Sequence, residues 1–299
     1  MLACWDEPMT RIQIARSQPA HISALREIYL AATSAAPHCC FVPDVEHFGA
    51  CLLGPHAARA QIFVAEEHDA PQGFAALGRV KNETDNTECD AITALFFTRA
   101  AVGLALLAAC EVQARPGDLL AFPAAHGQCP IMGYNGGWDG LPDRIPAVAQ
   151  LLARNGYTPY YRELHLSCDF ARAAPVPGAV PPGIELHETG DEDGQYFLLR
   201  ARAGEREVGE CHYITLAHVL GPVGARTGYI WWLHIEPDSR RLGIGRALMV
   251  EALGHLRRLG CASCWLTTGA DNWPAQPLYL ALGFEVLDCS ASYRKTRAL

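Results

Sequence analysis

Seven consecutive residues, Arg240-Arg241-Leu242-Gly243-Ile244-Gly245-Arg246, have the types and spacing to grip an anion. They follow an apolar run ending in Leu233-His234-Ile235 and open an amphipathic helical pattern. The first N–H groups of a helix lack internal partners, and the helix dipole puts partial positive charge there. Glycines at 243 and 245 remove the Cβ atoms that would hold a phosphate away from the main chain. Arg240, Arg241 and Arg246 surround the turn with charge. The chemistry on offer is diphosphate binding by backbone with guanidinium support.

The elements that position this turn form the later half of the chain. Residues 184–187, 196–203, 207–216 and 228–235 read as strands. A helix follows over about 244–259, with Met249, Leu253 and Leu256 on its apolar stripe and Arg257 and Arg258 at the negative end of its dipole. A strand at 264–267, a helix at 274–282 and a last strand at 285–287 complete it. The earlier half reads as a strand at 11–16, helices at 21–32 and 45–53, and strands at 61–66, 73–80 and 91–97. A helix at 100–114, a strand at 119–122, a helix at 145–155 and a strand at 157–166 end it. Between the halves, residues 171–183 hold four prolines and two glycines, a composition that neither a helix nor a central strand accommodates. The expected division is 1–172, a linker at 173–183, and 184–299.

The halves end alike. Leu151-Leu152-Ala153-Arg154-Asn155-Gly156-Tyr157 matches Leu278-Tyr279-Leu280-Ala281-Leu282-Gly283-Phe284 in kind: a helix stopped by glycine, then an aromatic strand. This pattern indicates internal duplication with loss on both sides. The second half has no room for the two early helices. The first half has no glycine turn after residue 97, offering Thr98-Arg99-Ala100-Ala101-Val102-Gly103, and Leu152 stands where the second half has Tyr279.

Composition narrows the partners. The chain has 299 residues, enough for two domains, and half are hydrophobic. A net charge of −8 argues against nucleic acid. No apolar segment reaches the roughly 18 residues that span a bilayer. Residues 1–8 carry Asp6 and Glu7 and no apolar run, unlike a secretory signal, so the expected location is cytoplasmic. The twelve cysteines sit mostly among Ala and Leu and read as small buried hydrophobes. Cys261-Ala262-Ser263-Cys264 lacks the second ligand pair of a zinc ribbon, and no metal is expected. A dinucleotide fold would want a small residue where Leu248 stands, and no Walker lysine follows either glycine.

The turn and a later segment together resemble the GNAT superfamily of acyl-CoA-dependent N-acyltransferases. The family's phosphate pattern is Arg/Gln-x-x-Gly-x-Gly/Ala, here Arg240 through Gly245. Its later pattern, Asn-x-x-Ala-x-x-Leu-Tyr-x-x-x-Gly-Phe, runs from Asn272 through Phe284 without mismatch at named positions. A degenerate copy followed by an intact one is similar to the arrangement in the mycothiol synthases. The resemblance implies an α+β fold of two GNAT-like domains, each a mixed, mostly antiparallel sheet flanked by helices. It implies acetyl-CoA as co-substrate, with Leu233, His234 and Ile235 offering main-chain groups to the pantetheine arm and residues 240–246 holding the diphosphate. Asn272 would bond the pantetheine amide, and Tyr279 would protonate the leaving thiolate.

The acceptor expected is a primary amine of a small molecule or an amino terminus, bound at the interdomain cleft. The glycine-rich stretch 133–140 is a candidate rim. The general base stays open. Tyr229 and Trp231 occupy the positions where the family often carries one, and neither suits; Glu210, His212, His234, Glu236 or a water relay are the alternatives, while Trp231 and Trp232 could wall the acceptor site. Two rival readings accompany the acetyltransferase: a non-catalytic acyl-CoA sensor, and a thiol-cofactor synthase. Oligomeric state is not read from the sequence.

Overall fold

A computed structural model of the protein describes residues 12–36, 44–53, 60–81, 88–123, 140–172, 179–191, 196–217 and 226–297. It divides the chain into two compact units, one of residues 1–161 with 290–299, the other of residues 162–289. Both are α+β, built on mixed, mostly antiparallel sheets.

In the first unit β1 (Gln13–Arg16), α1 (Ile22–Thr33) and α2 (Val45–Leu53) precede β2 (Gln61–Glu67), β3 (Ala70–Lys81) and β4 (Glu88–Phe97). The four strands pair antiparallel in sequence order. After α3 (Ala100–Gln113), the short β5 (Leu119–Ala121) lies parallel to β4. Then come β6 (Leu141–Pro142) and α4 (Pro146–Arg154). Helix α1 buries Ile22, Leu25, Tyr29 and Thr33, one stripe at helical spacing. Tyr29, Phe48, Phe74, Phe96 and Phe122 form a connected aromatic core with neighbouring ring centroids 5.1–6.4 Å apart.

The second unit takes up β7 (Thr158–Asp169) and adds β8 (Glu185–Gly190), β9 (Tyr196–Ala203), β10 (Arg206–Thr215) and β11 (Thr227–Ile235). Helix α5 (Ile244–Arg258), β12 (Ser263–Gly269) and α6 (Gln276–Ala281) follow. The strand order is β7-β12-β11-β10-β9-β8, with only β11 and β12 parallel. Side chains alternate across the sheet. Phe197, Leu199, Ala201, Cys211, Tyr213, Cys264 and Leu266 turn to the buried stripe of α5, made by Leu248, Met249, Ala252, Leu253 and Leu256. Cys261 and Cys264 lie in this core, and burial pushes the Cys261 thiol up to about 11.

The division differs from the one expected at 173–183. Strand β7 precedes the proline-rich segment, yet its residues 163–169 pair with β12. The last strand, β13 (Glu285–Lys295), is eleven residues long where the sequence suggests three, and its far end leaves the second unit. Tyr293, Arg294 and Lys295 pair with β5 of the first unit. Lys295 Nζ lies 2.8 Å from Glu111 Oε1, and Arg297 donates to the Glu111 carbonyl at 2.8 Å, which ties the chain end there. Proline content marks where regular structure stops; ladder partners decide unit membership. Residues 173–178 and 133–139 lie outside the described residues. No helix among the described residues is long and apolar enough to cross a membrane.

Candidate active site

The site begins where two parallel strands separate. Strands β11 and β12 pair from Thr227↔Ser263 to Ile230↔Leu266 and no further. Beyond that point β11 keeps β10 on one side, Leu233 opposite Cys211 and Ile235 opposite Gly209. Strand β12 keeps β7 through Gly269↔Glu163. The register of β10 and β11 shifts between His212↔Trp232 and Tyr213↔Ile230, so Trp231 is an inserted residue. Such a bulge bends its strand and re-aims side chains. The edge of β11 at 233–235 is thereby open among the described pairings, and unpaired strand backbone accepts an extended ligand as an added strand.

The chain then turns into α5. Arg240 Nε donates to the Ile235 carbonyl at 3.0 Å and closes the turn. Arg241 has φ of 61° and Gly243, the N-cap, 85°. No side chain caps α5, so its first-turn N–H groups are left for another acceptor. Among the described residues, no hydrogen bond or ion pair is made by the Arg241 and Arg246 guanidiniums. Uncapped N–H groups and arginines are the groups from which an anion site is built, which makes this turn a candidate for one.

A cavity of about 570 Å³ joins the open strand to this turn. Leu233, His234, Ile235, Arg240, Arg241, Gly243, Gly245, Arg246, Asn272 and Tyr279 all line it. Two residues designated from the sequence do not. The Leu242 side chain is 62% exposed, and that of Ile244, the first residue of α5, is buried in the core, so these two can contribute only through the main chain. Ser239, Pro274, Ala275 and Leu278 line the cavity as well. Ala275 and Leu278 are named positions of the later family pattern, a signal that marks them without saying that they form a wall.

Asn272 donates from Nδ2 to Thr268 Oγ1 at 2.9 Å, which leaves its side-chain carbonyl as an acceptor. Tyr279 on α6 is 7% exposed. Burial, helped by nearby Cys211, pushes its hydroxyl up to about 12, so the phenol stays protonated throughout the neutral range. Tyr229 is buried and hydrogen-bonded to Thr267 Oγ1 at 3.1 Å, in the core of the sheet. His234 Nε2 lies 3.6 Å from Glu236 Oε1.

The corresponding turn of the first unit is filled. A Cβ on Gly103 would come within 2.6 Å of Phe97 and 2.9 Å of Leu151. Arg99 is paired with Glu67, and Leu152 is fully buried. Strands β4 and β5 also pair briefly, from Asp90↔Leu119 to Ile92↔Ala121, but Phe96 and Phe122 pack together just beyond, with centroids 6.4 Å apart.

Comparison with known proteins points to one family. A model of the acetyltransferase (GNAT) family matches residues 155–284, which begins with β7 and spans the second unit almost entirely. A mycothiol acetyltransferase of Geodermatophilus obscurus is 27% identical over 252 residues, covering 72% of this chain and 75% of the relative. One from Pseudarthrobacter chlorophenolicus is 27% identical over 198 residues, covering 52% and 61%. Among solved structures, a tandem GNAT protein from the clavulanic acid biosynthesis pathway superposes with a TM-score of 0.67 at 15% identity, over 96% of this chain and 98% of that one. A GCN5-related N-acetyltransferase from Sphaerobacter thermophilus gives 0.62 at 14% identity, over 96% and 97%. These two establish likeness of fold.

Proposed function

We propose a division of labour for this GNAT-family chain, an acetyl-CoA-dependent N-acetyltransferase with a small-molecule acceptor: the second unit holds the co-substrate, and the first does not. In this reading the acetyl-CoA diphosphate sits on the uncapped turn of α5, against Arg241 and Arg246. The pantetheine arm runs along residues 233–235 as an added strand, with Asn272 accepting from one of its amides. A main-chain N–H of that strand faces the thioester oxygen and stabilises the charge that develops there. The parting of β11 and β12 beyond Ile230 and Leu266 carries the reading, because it alone provides both the open strand and the cavity.

Tyr279 faces the departing sulfur. A thiol pKa of about 8.5 lies well below the tyrosine's value, so complete transfer of its proton to thiolate is uphill. The phenol stabilises the sulfur as a hydrogen-bond donor, and the thiolate leaves without full protonation. The acceptor proposed is a small primary amine. The relatives named mycothiol acetyltransferase make a mycothiol-type acceptor the first to test. The sensor alternative is not favoured, since the family whose model matches and the relatives are named as acetyltransferases. A cytoplasmic location fits the reduced cysteines of this reading.

Calorimetry with acetyl-CoA, followed by a thiol-release assay with amines, tests the proposal. One binding site per chain and amine-dependent thiol release are expected. Absence of heat with folded protein, or two equal sites per chain, would refute it.

A further inference from the structure

The face of the second unit's sheet turned away from α5 carries a group of aromatic and titratable side chains that the cofactor reading leaves unused. Tyr196 on β9, Glu210 and His212 on β10, and Trp231 and Trp232 on β11 meet there. Tyr196 Oη is 2.5 Å from His212 Nδ1. Trp232 Nε1 donates to Glu210 Oε1 at 3.1 Å. His212 Nε2 approaches Glu210 Oε2 at 3.2 Å, yet it is not aimed along a hydrogen bond and is left buried without a partner. Trp231 stands edge-on to both Tyr196 and His212, each at 6.0 Å.

We infer that this patch is the acceptor site, that it takes a small cationic primary amine, and that Glu210 receives the proton the amine loses on acylation. The inference rests on the proposed course of the acetyl group along residues 233–235. Its first support is position. Glu210 is the register partner of His234, one ladder spacing of about 5 Å from the strand proposed to present the thioester. Its second is charge. Of the groups facing Glu210, Arg200 on β9 pairs with Glu207 at 3.3 Å and His234 with Glu236, while His212 lies 3.2 Å from Glu210 with its other ring nitrogen held by Tyr196. The carboxylate is thus fixed by Trp232 and has no arginine of its own. Its third is exposed surface. Trp231 and Trp232 are 42% and 49% exposed beside that carboxylate, and indole faces attract an ammonium group.

The reaction balances as follows. The bound ammonium first gives one proton to solvent. The nitrogen lone pair then forms the C–N bond to the thioester carbon. As the C–S bond breaks, its electrons leave on sulfur as coenzyme A thiolate, hydrogen-bonded by Tyr279. The second nitrogen proton passes to the Glu210 carboxylate and from there to solvent.

Glu210→Gln, Glu210→Asp and Trp231→Ala, each in the full chain, test this with acetyl-CoA and three amines: tyramine, cyclohexylamine and glucosamine. Calorimetry of acetyl-CoA binding accompanies kcat and KM. Glu210→Gln is expected to bind acetyl-CoA within about threefold of the wild type and to lose about 10²- to 10⁴-fold in kcat. Glu210→Asp should recover part of kcat, which a merely structural carboxylate would not require. Trp231→Ala should raise the amine KM about tenfold and leave acetyl-CoA binding intact. Retention of kcat within about threefold by Glu210→Gln would overturn the inference alone. So would a wild-type protein that binds acetyl-CoA and acetylates none of the amines. Failure of the wild type to bind acetyl-CoA would overturn the cofactor reading with it.

Discussion

Replacing Gly245 by leucine separates ligand binding from folding with opposite signs. Gly245 is the second residue of α5, and a Cβ there would sit 3.6 Å from Ile235 Cγ1 and Leu278 Cδ2, an ordinary contact distance. The Cβ itself displaces nothing, and the rest of the leucine side chain has the cavity to extend into. Leucine is a better helix former than glycine by up to about 0.8 kcal/mol, so the unfolding midpoint should hold or rise. The side chain would nonetheless project between two residues that line the cavity, where a diphosphate must approach the first-turn N–H groups. Hydrogen bonds to a charged group contribute about 1.5 kcal/mol each at the low end. Losing two of them, about 3 kcal/mol, raises the acetyl-CoA Kd about 10²-fold. Gly245→Ala, which the family pattern admits, should cost far less. Calorimetry and thermal unfolding on the same preparations provide both readings. A leucine variant with unchanged stability and a Kd within threefold of the wild type would refute diphosphate binding at this turn.

Gly243→Ala should behave differently. With φ at 85° it forces alanine into the left-handed region, at about 1–2 kcal/mol of unfolding free energy, although its Cβ meets only Pro181 at 3.7 Å. Gly243→Asn should be milder than alanine, and denaturant unfolding that ranks them the other way would contradict the cause. Tyr279→Phe should lower kcat about 10- to 10²-fold with acetyl-CoA affinity nearly unchanged. Because the hydroxyl titrates only near 12, an alkaline limb below pH 10 that disappears in this variant would show that the tyrosine is not held protonated. Asp90→Asn should flatten the acid limb of stability. Burial alone would raise the Asp90 carboxyl, but hydrogen bonds from the Arg115 amide (2.8 Å) and guanidinium (2.8 and 3.0 Å) overcome that and hold it below its usual range. Its folded value lies below the unfolded one of about 3.9, so its contribution is complete above that pH and lost as pH falls through the folded value. Urea midpoints between pH 5 and 2 should therefore fall less steeply in the variant.

The residues that make the turn are contiguous, and the anion-binding role proposed for them follows from local geometry, so the proposal is legible in the sequence. A helix N-terminus lacks acceptors wherever it occurs, and glycine at 243 and 245 has few other uses beside three arginines. Helical stripes such as Ile22, Leu25 and Tyr29 are likewise set by a local period, and the helices fall within a residue or two of their expected bounds. The division of the chain was not local. Proline-rich residues 173–183 look like a boundary, but β7 and β13 take their ladder partners from residues about a hundred or more positions away. A strand's alternation is the same whichever sheet it joins. The parting of β11 from β12 begins at a bulge that the pairing register of β10 reveals. The sequence by itself determined which residues carry the proposed anion site. Tertiary pairing alone decided that they border an open strand, and that Glu210, His212 and two tryptophans share a single face, because backbone hydrogen bonds select partners by register across the chain.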